Sequence, residues 1–151
     1  MDTYRRTLLM LLAEIFGVSP HDHGMILDNG SSGYLAILAD IDAQTASRAP
    51  KPGNATLAAH CGHMAWFLES VIRIIDGERD QPNWSESWVI DQVDEAAWTT
   101  LRERLRSNYH TLVQRLESRE TLSDDDVAGS LVMITHLAYH LGEIRQMLSA
   151  F

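Results

Sequence analysis

The sequence holds one cysteine, Cys61, so no disulfide can form within the chain and the fold owes nothing to an oxidising compartment. Lysine is almost missing too: Lys51 is the only one, and the other eleven of the twelve basic residues are arginines. The arginines are scattered, mostly beside acids, and against 21 Asp and Glu they leave a formal net charge of −9. A phosphate backbone or an anionic bilayer demands clustered cations, so neither nucleic acid nor a membrane is an expected partner. No apolar run approaches the roughly 18 residues that a membrane-spanning helix needs. Arg5-Arg6 ahead of Thr7–Leu12 imitates a short signal peptide, but Glu14 interrupts the run and no small-x-small cleavage site follows. The expected location is cytoplasmic. Internal repeats, low-complexity tracts and strong strand signals are missing as well.

What is present is an ordinary globular balance, 45% apolar and 22% charged over 151 residues, which fits a single domain spanning 1–151. Five helical segments emerge from the periodicity. The first covers Asp2 to Phe16, with Tyr4, Leu8, Leu11 and Ile15 on one face, and stops at Gly17. Ser19 to Gly33, rich in Gly, Asp, Asn and Ser, reads as a connection. The second helix is expected over Ser32 to Ser47, with Tyr34, Ile37, Leu38, Ile41 and Thr45 on one face. The third starts at an Asn54 or Thr56 cap and runs to Ile75, its stripe formed by Leu57, Cys61, Met64, Leu68, Val71 and Ile75. Gln81 to Val93 is weakly periodic and carries Trp84 and Trp88, which suit a cap on the bundle or the wall of a pocket, though aromatics in a connection more often anchor it to the core. Asp94 caps the fourth helix, whose buried face is Trp98, Leu101, Leu105, Leu112 and Leu116. The fifth begins near Ser123–Asp126, whose carboxylates suit a helix N-terminus, and continues almost to Phe151. Together these predict an all-α, antiparallel four-helix bundle with an additional N-terminal helix.

The chemistry lies in the histidines. His21 and His23 sit in a polar loop without fixed geometry, and His110 falls on the solvent side of its helix, so these three carry little. His136 and His140 are one turn apart on one face, which lets two imidazoles converge on one ion. His140 also continues the stripe of Met133, Leu137, Ile144 and Met147, where an imidazole must be satisfied by a hydrogen bond or a metal. The Glu of an HExxH motif is missing from His136-Leu137-Ala138-Tyr139-His140, which disfavours a zincin protease. His60 and His63 form a second pair, on the third helix, and the helical wheel places His60 slightly deeper than His63. Two helices with inward or margin-facing histidines are how a bundle builds a metal site, and three imidazoles leave a coordination position open for catalysis. Glu143 shares the face of His136 and His140, either to orient a ligand or accept a proton, or as a solvated charge. Cys61 lies on the apolar stripe and reads as a small buried hydrophobe rather than a nucleophile.

Two segments, Thr56-Leu57-Ala58-Ala59-His60-Cys61-Gly62-His63-Met64-Ala65-Trp66-Phe67-Leu68-Glu69 and Thr135-His136-Leu137-Ala138-Tyr139-His140-Leu141-Gly142-Glu143-Ile144-Arg145-Gln146-Met147-Leu148, resemble the DinB-like (YfiT-like) superfamily of metal-dependent helical bundles. That family pairs a histidine of an early bundle helix with an HxxxH near the C-terminus. The resemblance implies His136 and His140 as metal ligands and either His60 or His63 as the third; the similar run in the bundle domain of ergothioneine-forming sulfoxide synthases selects His63. It further implies a divalent metal, zinc or nickel, and a low-molecular-weight thiol activated as thiolate for transfer to a small-molecule substrate. Hydrolytic chemistry, with water in place of the thiol, is the neighbouring expectation. The alternative is a non-catalytic bundle that binds metal or a small ligand and acts as a homodimer.

Overall fold

Short polar side chains set most of the helix starts, because the first N–H groups of a helix have no partner within it. Asp2 accepts from the Arg5 N–H at 2.8 Å and opens α1 (Thr3–Phe16); Thr56 accepts from Ala59 at 3.0 Å and opens α4 (Leu57–Ile75). Asp94 accepts from Ala97 at 2.7 Å at the start of α5 (Glu95–Ser118). At α6 (Asp124–Leu148) Ser123 and Asp126 cap one another reciprocally, and Asp124, Asp125 and Asp126 place negative charge on the positive end of the dipole. With α2 (Tyr34–Ala39) and α3 (Ala43–Ala46) these make an all-helical chain in the computed structural model, which describes residues 2–19, 24–28 and 30–150. No strand occurs among the described residues, and none of their helices is long and apolar enough to cross a membrane.

The continuous second helix expected over Ser32 to Ser47 is instead α2 and α3 with a break between them. Asp42 turns its carboxylate onto the Thr45 N–H at 2.7 Å and starts a new helix. The carbonyls freed by the break are taken up by α5: Trp98 Nε1 donates to Ile41 O at 2.6 Å, and Arg102 donates to the Leu38 and Ala39 carbonyls. The apolar spacing continues across the break, so periodicity alone reads it as one helix.

The core forms around α4, buried on nearly every side from Thr56 to Leu68. That suits a helix whose faces all have cover. It packs along α5 and against α6 and α3, while α1 packs on α5 and α6. Between α4 and α5 the Glu69 carboxylate takes a two-pronged contact from Arg104, at 2.6 and 2.5 Å, with Asn108 adding a third donor at 3.0 Å. The seam of α1 runs through Arg5, Leu8, Leu12 and Ile15, so Leu12 rather than the expected Leu11 is fully buried. Tyr109, which the sequence stripe of α5 omitted, stacks on Phe16 at 4.5 Å between ring centres. Tyr34 donates to the Leu137 carbonyl at 2.8 Å and so ties α2 to the middle of α6.

The chain crosses closely where α1 ends and α2 begins. Gly17 ends α1 at φ +75°, and a Cβ on Gly33 would lie 2.3 Å from the Gly17 nitrogen and 2.4 Å from the Ile15 carbonyl oxygen. Both obstacles are backbone and cannot swing aside. Gly33→Ala is therefore expected to cost about 2–3 kcal/mol, which thermal melts should register as a fall of about 5–10 °C.

Candidate metal centre

Helices α4 and α6 bring four histidines and one glutamate to a single spot. On α4, His60 and His63 are one turn apart; on α6, His136, His140 and Glu143 occupy one face. His63, His136 and His140 each offer a ring nitrogen, and the three atoms lie within 4.8 Å of one another. His63 Nε2 and His136 Nε2 stand 3.2 Å apart. His60 lies beside this group, its Nδ1 3.3 Å from His140 Nδ1. Glu143 Oε2 is 2.8 Å from His140 Nδ1 and 3.7 Å from His60 Nδ1, and its Oε1 receives a hydrogen bond from Tyr139 at 2.8 Å. Thus the α6 carboxylate faces the imidazoles instead of standing free in solvent.

Burial decides the protonation of these rings, since low polarity disfavours the charged form. It is the main reason that His63 is pushed down to about 4, with His136 and His60 adding to the effect and the Ser87 backbone carbonyl opposing it. His140 is pushed down to about 3, by burial first and then by His136, His63 and His60. His60 and His136 are also lowered by burial, against the pull of Glu143. At neutral pH the rings are uncharged and hold lone pairs available to a cation. His63 Nδ1 and Glu143 Oε2 are buried atoms that receive no aligned hydrogen bond.

The connection between α4 and α5 roofs the cluster. Trp88 lies flat on His63, ring centres 4.2 Å apart and planes 13° from parallel, and meets His60 edge-on at 5.2 Å. Trp84, in a single 3₁₀ turn (Trp84–Glu86), packs on Trp66 at 5.2 Å and comes within 6.4 Å of His63 and His136. Phe67 closes the far side against His136 at 4.3 Å. Both tryptophans remain 52% and 44% exposed, so they cover the histidines without entering the core, contrary to the anchoring role the sequence favoured. Three contacts hold the roof down. Thr56 donates to Asp91 O at 2.5 Å, the Ser47 hydroxyl bridges both backbone groups of Val93, and Ile90 rests on Gly62. A Cβ on Gly62 would sit 2.9 Å from Ile90 Cδ1 and 3.2 Å from Ile90 Cβ, so the Ile90 side chain would have to shift to admit one.

Both α4 histidines are buried, His63 at 3% and His60 at 7% exposed, and Trp88 touches both rings. His110 is exposed, as expected, and lies away from the cluster on α5. Cys61 is fully buried and its thiol is pushed up to about 12, which fits a packing residue and not a nucleophile. The loop pair His21 and His23 lies outside the described residues. The sequence did not single out Gly62 or Tyr139; only the i, i+4 spacing of Tyr139 and Glu143 hinted at their contact.

Among protein families, curated proteins and solved structures, no family model matches the chain and neither of the other comparisons returns a significant match.

Proposed function

We propose that the chain is a metal-dependent enzyme of the DinB-like superfamily, an antiparallel four-helix bundle in which His63, His136 and His140 hold one divalent cation. The observation that carries this reading is the convergence of one nitrogen from each of these residues within 4.8 Å. Nitrogen donors about 2.0–2.1 Å from a tetrahedral zinc stand about 3.3 Å apart, and the His63–His136 separation is 3.2 Å. The donor set also fits chemically, since neutral imidazoles suit zinc and nickel and three of them leave a position for substrate. Support for the family comes from the two segments that carry the resemblance, for they are the ones whose histidines meet.

A divalent cation so held lowers the pKa of a bound thiol or water, which makes either a nucleophile at neutral pH. The chain's own residues supply the rest. Glu143, its Oε1 fixed by Tyr139, sets its Oε2 2.8 Å from His140 Nδ1, within reach of a proton released at the site. Trp84, Trp88 and Phe67 exclude water and offer aromatic faces to the apolar part of a small electrophilic substrate. The reaction class is thiol S-transfer, or hydrolysis where water replaces the thiol.

Elemental analysis of the untagged protein tests the reading. Wild type is expected to carry at least one equivalent of metal, and His63→Ala or His136→Ala to carry one equivalent less. Full metal content in both variants would overturn the triad. A second reading, a non-catalytic metal-binding bundle working as a homodimer, draws on the exposed apolar side chains Ile74, Leu131 and Val132. A concentration-dependent dimer, together with no turnover of any thiol–electrophile pair by the loaded protein, would favour it.

A further inference from the structure

The cluster contains a second set of ligand residues, which overlaps the triad only at His140. His60 Nδ1, His140 Nδ1 and Glu143 Oε2 surround a common point, with separations of 3.3, 2.8 and 3.7 Å. Donors sharing one tetrahedral ion stand about 3.3 Å apart, and the three distances bracket that value. His60 Nδ1 and His140 Nδ1 share a hydrogen bond that an ion between them would replace, whereas the carboxylate stands to His140 as a co-ligand and not as a hydrogen-bonded partner. Glu143 Oε2 is buried and lies 2.8 Å from His140 Nδ1, yet it receives no aligned hydrogen bond. A ring N–H points along the nitrogen lone-pair axis. An oxygen close to the nitrogen but off that axis is placed to meet it at an ion lying on the axis in front of the ring. The other oxygen of Glu143 is tied to Tyr139, which fixes the carboxylate in this pose.

We propose that His60, His140 and Glu143 form a second divalent-metal site, which shares His140 with the first so that its imidazole bridges two ions. The proposal rests on the triad reading for the bridge alone; the second site has its own histidine and its own carboxylate. With Nδ1 of His140 in the second set, Nε2 is the nitrogen left for the His63 and His136 side. Two imidazole nitrogens and a carboxylate oxygen suit zinc or cobalt, and three ligands again leave room for an exchangeable fourth. Binding of the second ion displaces the remaining ring proton of His140 to solvent, with no change in oxidation state. The carboxylate and the resulting imidazolate then offset the added positive charge.

The experiment is equilibrium dialysis of metal-free full-length protein against cobalt(II) chloride, with bound cobalt measured by elemental analysis and its ligand-field absorption recorded. Wild type is expected to saturate at two ions per chain. Glu143→Gln, nearly the same shape and at the rim of the cluster, is expected to fall to one, as is His60→Gln, with circular dichroism confirming native helicity. His63→Ala is expected to retain one, and His140→Ala none. Saturation at one ion that survives Glu143→Gln and His60→Gln but is lost in His63→Ala would overturn the second site and leave the triad standing. One ion lost in Glu143→Gln but kept in His63→Ala would overturn the triad and support the second set. Wild type that binds none would overturn both.

Discussion

Saturating zinc is expected to raise the melting temperature of the protein by about 8–16 °C over that of the chelator-treated form. The size follows from linkage: an ion that binds only the folded chain, at about a thousand times its Kd, contributes about 4 kcal/mol, and about 1 kcal/mol corresponds to 2–4 °C in a chain of this length. Binding is restricted to the folded state because the ligands are far apart in sequence. His63 belongs to α4, whereas His136 and His140 belong to α6, and the whole of α5 intervenes. An ion held there would cross-link the two helices. Calorimetry or a circular-dichroism melt with and without chelator measures the shift directly. His63→Ala removes one of the three nitrogens and is expected to cut the shift by more than half. An unchanged melting temperature in wild type would return the four imidazoles to ordinary core residues that satisfy one another at distances such as the 3.2 Å of His63 and His136.

Much of this centre was legible in the sequence, for reasons that can be named. Asp94, Thr56 (one of two caps the sequence offered) and the acidic run after Ser123 mark helix starts through local interactions, which depend on nothing outside their own turn. The i, i+4 spacing of His136 and His140 likewise fixes their common face wherever the helix is placed. What remained hidden is tertiary. The break between α2 and α3 depends on Trp98 and Arg102 of a distant helix receiving the freed carbonyls. The roof of Trp84 and Trp88 belongs to a segment with little periodicity, and its position follows from Thr56, Ser47 and Gly62, whose roles in it no pattern announces. What covers His60 and His63 on their outer side is that same roof, which a helical wheel, treating the helix as lying on a featureless core, does not contain. Glu143 was ambiguous for a similar reason, since its i, i+3 relation to His140 fits a surface charge as well as an inward one.

Acid is expected to unfold the metal-free protein through the same histidines, beginning well above the pH at which carboxylates respond. In the unfolded chain a histidine titrates near 6.5, whereas in the folded chain His63 and His140 are pushed down to about 4 and about 3. Between those limits the unfolded state binds more protons, so stability rises with pH there. The histidine contribution is therefore complete above pH 6.5 and is withdrawn progressively as the pH falls below it. At pH 5 the loss amounts to about 1–2 kcal/mol for each of the two rings, although neighbouring rings take up protons one after the other and the two losses overlap. The folded-state carboxylates act in a separate window. Glu14, where three backbone N–H groups outweigh the effect of burial, and Asp126, held chiefly by the Ser123 N–H, both sit below their ordinary values, so their contributions are lost only as the pH falls below about 4.5. Urea unfolding of chelator-treated protein at pH 7.5, 6.5, 5.5 and 5.0 isolates the histidine window. His63→Gln is expected to flatten the decline, since a glutamine takes up no proton. A decline no smaller in that variant than in wild type would mean that His63 is not held neutral by its burial beneath Trp88, and would remove the electrostatic reason for its readiness to bind a cation.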